Sequence, residues 1–301
     1  MTIPTAIVGA TAGPLARLID ARWLMAYAAA VGETDPRYFD TVTARGPLAH
    51  PLFPVCYEWP AAVALRDKTL EAAVQPRGVH ATHDLVIHRF PRAGDALLTT
   101  ARVIAAGPRR AGTLVTTRFE TADGAGHRVT TTDYGSVYRG VALAGSVQAS
   151  PRGEAPAAPG GPGANASLSE EPPGAAGAVV VRWQEVVDVA ATAAHVYTEC
   201  ARIWNPIHTD VAVARRAGLS APILHGTATL ALAVSRVIAR DLGGDPERVA
   251  GIRVRFTGMV LMPSTFTVRG QPADGPGVAF DAIGPGGVPV LSQGVVIPCD
   301  R

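Results

Sequence analysis

The sequence is short of lysine, of cysteine and of charge, and each shortage excludes something. Lys68 is the only lysine. Every other basic side chain is arginine, which we read as the coding bias of a GC-rich genome, although arginine also suits phosphate groups on a carrier. Charged residues make up 17% of the chain and the formal net charge is +2. Nucleic-acid binding usually demands a strongly basic domain or stripe, so nucleic acid is excluded as the main partner. Cys56, Cys200 and Cys299 are odd in number and far apart, which gives neither a disulfide framework nor a metal-ligand spacing. No apolar run reaches the roughly 20 residues needed to cross a bilayer, so no membrane partner is expected. The opening MTIPTAIVGATAG lacks the basic start and apolar core of a secretory signal. Small buried thiols in a reducing cytoplasm are the expectation.

Apolar residues, by contrast, make up 48% of the 301. That length and composition suffice for two domains of about 100–150 residues each. Between them one segment stands apart. Residues 150–178 read SPRGEAPAAPGGPGANASLSEEPPGAAGA. Proline, glycine and alanine dominate and no apolar period survives, as in a linker that cannot bury enough surface to order itself. The division is therefore an N-terminal repeat over 1–149, a linker over 150–178 and a C-terminal repeat over 179–301.

The two halves share landmarks in one order. Pro36 in GETDPRY corresponds to Pro206 in RIWNPIH, an offset of 170; Pro51 in PLFP corresponds to Pro222 in PILH, an offset of 171; Arg89-Phe90 corresponds to Arg255-Phe256, an offset of 166. Collinear landmarks with near-constant offsets indicate duplication. In the C-terminal half VVVRWQEVVDV alternates like a strand. PILHGTATLALAVSRVIARD, from Pro222 to about Asp241, is apolar nearly all round, and such a helix must be buried on nearly every face. Strand-like segments follow near 250–258, 264–270, 276–283 and 288–297, separated by turn residues. HATHDLVIHRF, ALLTTARVIAA, TLVTTRFETA and RVTTTDYGSVYR close the N-terminal half in the same way. One buried helix wrapped by a curved antiparallel sheet, twice over, is an α+β fold in which two sheets pair side by side and hide two edges.

The residues that carry chemistry lie in the C-terminal half. Asn205-Pro206-Ile207-His208-Thr209-Asp210, then Ala217-Gly218, then Pro222-Ile223-Leu224-His225-Gly226-Thr227 resemble the hydratase motif of the MaoC-like, R-specific enoyl-CoA hydratase/dehydratase family. The resemblance is close over Tyr197 to Val237 and loose elsewhere. It implies the double hotdog fold, no cofactor and no metal. The implied substrate is an enoyl- or 3-hydroxyacyl-thioester, carried by coenzyme A or a carrier protein. A homodimer is compatible with it. Adding water across a double bond conjugated to a thioester needs a base for the water and an acid for the α-carbon. The thioester oxygen gains charge and needs preorganised donors, which a backbone N–H at a helix start supplies. By resemblance, His208 is the imidazole partner, Gly226 the backbone donor, and Asn205 a residue that fixes the loop or touches water.

The departure from the family matters as much. Its catalytic Asp aligns with Ile203, which can neither carry a proton nor bind water. Glu199, four residues earlier on a helix, is the nearest substitute, and a solvated glutamate paired with Arg202 is the plainer reading. Glu33 occupies the acid position of the N-terminal motif, where Tyr38 replaces the histidine. The N-terminal half is therefore expected to shape the acyl pocket. Ile203, Trp204, His225, Thr227 and Tyr197 are the candidate substrate-binding residues. His80, His83 and His88 cannot all share a strand face, because faces alternate with period two. Two further readings stay open: a repurposed hotdog enzyme (thioesterase, isomerase or cyclase) on a polyketide-like or carrier-bound acyl group, and a non-catalytic acyl-thioester binder.

Overall fold

A computed structural model describes residues 1–145, 180–273 and 275–299. The linker read at 150–178 lies outside the described residues. In the N-terminal part the elements are β1 (Thr2–Pro4), β2 (Thr11–Leu18), α1 (Ala21–Ala30), α2 (Pro54–Thr69), β3 (Gly78–Ile87), β4 (Ala96–Arg109), β5 (Gly112–Asp123), β6 (Arg128–Arg139) and β7 (Ala142–Ala144). In the C-terminal part they are β8 (Trp183–Val189), α3 (Ala193–Ala201), α4 (Val211–Arg216), α5 (Gly226–Asp241), β9 (Val249–Phe256), β10 (Ser264–Gln271), β11 (Val278–Ile283) and β12 (Pro289–Pro298).

Ten strands form one sheet in the order β2-β4-β5-β6-β3-β9-β12-β11-β10-β8. Read outward from the middle, the two halves follow the same sequence of strands, so the duplication seen in the landmarks is also a duplication of topology. The junction is the antiparallel pair β3–β9, with Thr82 opposite Arg255 and Leu85 opposite Ile252. Pairing there removes the two edges that each repeat would otherwise expose. The fold is a double hotdog, each curved sheet wrapped around its helix. Outside this sheet, β1 and β7 pair in parallel.

The helix α5 is sheathed as its composition requires. Leu230, Ala231, Ala233, Val234, Val237 and Ile238 are all buried, and burying each valine, leucine or isoleucine contributes about 1.5–3 kcal/mol. Its two arginines leave the sheath toward one carboxylate: Arg236 and Arg240 lie 2.9 and 3.1 Å from Glu185. The helix begins at Gly226, not at Pro222 as the apolar run suggested. Ile223 bridges Leu261, and the Leu224 N–H donates to the Val260 carbonyl at 2.8 Å, so these residues are held extended.

The repeats are also tied through α1 and α3. Tyr27 and Tyr197 meet edge to face at 5.7 Å with their hydroxyls 3.5 Å apart. A second tie is polar. The Leu52 N–H donates to His50 Nδ1 at 3.0 Å, which leaves Nε2 as the protonated nitrogen, 3.2 Å from Ser235 Oγ. Ser235 Oγ–H in turn donates to Glu33 Oε1 at 2.5 Å. The N-terminal acid position thus ends in a hydrogen-bonded clamp onto α5 and not in a cavity. Because removing the central hydroxyl strands a buried imidazole and a half-buried carboxyl, Ser235→Ala is expected to cost about 1–3 kcal/mol. Urea unfolding reads this as a lower midpoint at unchanged slope.

Candidate functional site

A cavity of about 220 Å³ runs through both repeats. One end is built by the C-terminal half. A 3₁₀ turn over Pro206–His208 follows Asn205, with proline at its first position, and Asp210 then caps α4 by accepting from the Val213 N–H at 2.9 Å. These short capped turns fix the loop that carries His208. The imidazole is 9% exposed and lines the cavity. Its Nδ1 lies 2.9 Å from the Ile223 carbonyl. A carbonyl only accepts, so Nδ1 carries the proton and Nε2 is left with its lone pair. Burial pulls the imidazole down to about 4, which keeps it neutral across the physiological range.

The His225 ring stacks on that of His208 at 3.7 Å and 25°. Its Nε2 is 3.3 Å from Thr198 Oγ1. Burial and then the neighbouring His208 push its proton affinity down, while the nearby Ile203 carbonyl opposes them without completing a hydrogen bond of good geometry to Nδ1. His225 is also the cap residue of α5, at φ −59° and ψ 137°. The cavity therefore meets the helix at Gly226 and Thr227, where the first N–H groups have no intrahelical carbonyl and the dipole is positive. Gly226 has no left-handed backbone. A Cβ there would sit 3.2 Å from the Phe256 ring, so a missing side chain keeps this end open.

Asn205, half-buried, and Ile203, only 4% exposed, complete the lining here. Tyr197 stands behind it, donating to Thr227 Oγ1 at 3.0 Å, but does not line the cavity. Two candidates lie elsewhere. Trp204 is 60% exposed and outside the lining. Glu199 faces solvent on α3, so it does not reach inward as a substitute acid. Nor does it pair with Arg202, which extends over the Trp23 ring at 4.2 Å and lies 3.5 Å from Asp20.

The N-terminal half supplies the rest of the cavity from α2 and the face of β3–β6. His80, which the sequence pattern separates from His83, lies 5.4 Å from it. A bulge between His80 and Thr82 shifts the strand by one residue and brings both rings to one side. His80 is sandwiched between Tyr134 at 3.6 Å and Phe256 at 4.2 Å, so the two repeats share an aromatic stack in the cavity wall. His88 is exposed and meets Thr131 Oγ1 at 3.0 Å. Among the described residues no three potential metal ligands come together.

Glu58 is the carboxyl that sequence reasoning missed. It is 3% exposed, and it is the only acidic side chain among the cavity-lining residues. Thr132 Oγ1–H donates to its Oε1 at 2.6 Å. Burial raises its pKa to about 8, against the lowering effect of Thr132. The signal was present: a lone glutamate inside the apolar segment VCYEWPAAVAL.

Residues 179–278 match the family model described as MaoC like domain, and residues 6–132 match that described as FAS1-like, dehydratase domain region. The chain is similar to the enoyl-CoA hydratase ChsH3 of Mycobacterium tuberculosis, 38% identical over 65 residues, which are 22% of this chain and 23% of that one. The aligned part spans no more than about a third of the length of the curated relatives it matches. A MaoC-like dehydratase from Phytophthora capsici superimposes with a TM-score of 0.78 at 21% identity, covering 97% of this chain and 96% of that one. A Mycobacterium tuberculosis protein described as a double hotdog superimposes with a TM-score of 0.58 at 19% identity, covering 97% and 96%. Likeness at such identities shows the fold. Among the described residues no helix is long and apolar enough to cross a membrane.

The buried carboxyl gives this site a signature in stability. Free glutamate ionises near 4.5, and Glu58 in the fold near 8. Between those values the unfolded chain releases a proton that the folded chain keeps, so the contribution of Glu58 to stability is complete below pH 4.5 and is lost as pH rises to about 8. His208 acts the other way, losing stability as pH falls from 6.5 to about 4. Above pH 6.5 the carboxyl acts without that opposition. Glu58→Gln is therefore expected to flatten the decline in unfolding free energy between pH 6.5 and 8, measured against the parent chain by denaturant titration.

Proposed function

The chain is a double hotdog protein with a MaoC-like domain in its C-terminal repeat, and from that premise we propose that it is a hydratase/dehydratase acting on an enoyl- or 3-hydroxyacyl-thioester of coenzyme A or a carrier protein. One observation carries the reading. A neutral imidazole, His208, with its tautomer fixed by the Ile223 carbonyl, stacks on the residue that opens a buried helix, and both line one cavity.

The thioester carbonyl rests against the start of α5, where the N–H groups of Gly226 and Thr227 and the helix dipole receive developing negative charge. Nε2 of His208 takes a proton from water as the water oxygen bonds to the β-carbon. The electron pair of the double bond moves to the thioester oxygen. That enolate then collapses, and the α-carbon takes the proton held by the imidazolium, so water is added and the base is restored. With Ile203 where the family has an acid, one imidazole serves both transfers in this reading. Its low basicity makes its conjugate acid a strong proton donor. The reverse sequence eliminates water. Asn205 orients the water, and the N-terminal repeat shapes the acyl pocket.

Ile203 also favours a second reading, in which the apolar replacement suits another reaction of an acyl-thioester, such as ring closure or hydrolysis. Mass spectrometry of the product distinguishes the two, since hydration adds one water and keeps the thioester.

Loss of the enoyl-thioester absorbance with crotonyl-CoA and longer homologues measures the first reading. His208→Ala is expected to lower kcat/KM by roughly 10²–10⁴, the usual weight of a general acid–base group. Glu199→Gln, remote from the cavity, is expected to leave it unchanged. The acid limb of kcat/KM in the parent chain is expected near pH 4, where His208 becomes protonated. Retention of full activity by His208→Ala sinks the mechanism.

A further inference from the structure

The part of the cavity built by the N-terminal repeat is not the wall that a plain alkyl chain calls for. Val55, Val103 and Val115 contribute apolar surface there, but polar side chains alternate with them. Glu58 uses one carboxyl oxygen to accept from Thr132 Oγ1 at 2.6 Å, and its other oxygen has no hydrogen-bond partner among the described residues. Tyr134, Ser136 and Tyr138 line the same space, and among the described residues their hydroxyls make no hydrogen bond. None of these oxygens belongs to the sealed, unpartnered polar atoms of the interior, so each keeps some accessible surface. Tyr134 is also held in place, its ring stacked on His80 at 3.6 Å.

Such groups are costly beside hydrocarbon. A hydroxyl or carboxyl facing an alkyl chain gives up its water partner and gains no hydrogen bond in return. Four of them along one wall would oppose a saturated chain and reward an occupant that supplies partners. Burial keeps Glu58 protonated at neutral pH, so it offers a proton to an acceptor and repels no lone pair. Phenol and serine hydroxyls can donate as well. The partner these groups match is a neutral oxygen, either ketone or hydroxyl.

Resting on the hydratase reading above, we propose that the acyl group of the substrate carries a keto or hydroxyl oxygen remote from the thioester, and that Glu58, with Tyr134, Ser136 and Tyr138, recognises that oxygen. The protein is thereby a specificity device for oxygenated acyl chains, and the reactions that supply its substrate must leave oxygen on the chain. Glu58 sits on α2 and binds the chain; the chemistry at His208 is separate from it.

The test compares saturated decanoyl-CoA with decanoyl-CoA thioesters bearing a single keto or hydroxyl group at each carbon beyond the β-carbon. Saturated thioesters cannot be hydrated, so binding is read by titration calorimetry whether or not the enzyme turns over. At least one oxygenated thioester is expected to bind tenfold or more tightly than decanoyl-CoA. Glu58→Leu is expected to abolish that ratio, while Glu58→Gln, which can still donate, keeps most of it. A merely structural role for Glu58 would move both affinities together and leave the ratio intact, and that result overturns the proposal. So does a parent chain that binds decanoyl-CoA as well as every oxygenated form. In either case turnover of crotonyl-CoA still stands as support for the hydratase reading. If no thioester binds, that reading and this one fail together.

Discussion

A helix buried on nearly every side still has to begin somewhere, and the N–H groups at its beginning have no carbonyl of their own turn to bond. In α5 that beginning is Gly226, and it opens on a cavity and not on packed side chains. The rest of this end of the cavity is arranged around this fact. Ile223 and Leu224 are pinned in extended form by Leu261 and Val260, which places the helix start at the cavity. The same Ile223 offers its carbonyl to His208. One short extended segment therefore sets both the position of the helix dipole and the tautomer of the imidazole.

The two repeats have spent their equivalent positions differently. In the N-terminal repeat the acid position survives as Glu33, but it closes a hydrogen-bonded chain with Ser235 and His50 and serves cohesion. In the C-terminal repeat the acid position is Ile203 and the histidine survives in a cavity. Duplication frees each copy from carrying every role. The N-terminal copy gives the cavity its length and its polar wall, and the C-terminal copy gives it the helix start and the imidazole.

Some of this was legible from residue order. The repeated landmarks, the apolar run near 222–241 and the alternating segments sufficed for two hotdog repeats, because periodicity reports burial directly. A compact motif held His208, Asn205 and Gly226 together in the sequence, and all three line the one cavity. Glu199 is solvated, as its plainer reading had it, but without Arg202 as a partner, and it does not serve as an inward acid because helical spacing gives the face shared with Ile203 but not which way that face points. Trp204 was misjudged because a large aromatic beside a motif says nothing of its exposure. His80 and His83 were kept apart by a rule of strict alternation that one bulge suspends. Glu58 was passed over because it belongs to no motif, and only its apolar neighbours marked it.

The amino-acid sequence by itself determined the duplication, the sheathed helices and the loop that bears the histidine, since these follow from local composition and short-range spacing. Tertiary structure alone decided that helix α2 of one repeat and the loop of the other face the same cavity, across the β3–β9 junction. It also decided that one glutamate would be dry and protonated while another, on α3, stays wet. The reason is that burial belongs to an environment assembled from distant segments. Neither a carboxyl's charge nor a histidine's tautomer can be read until those segments have met.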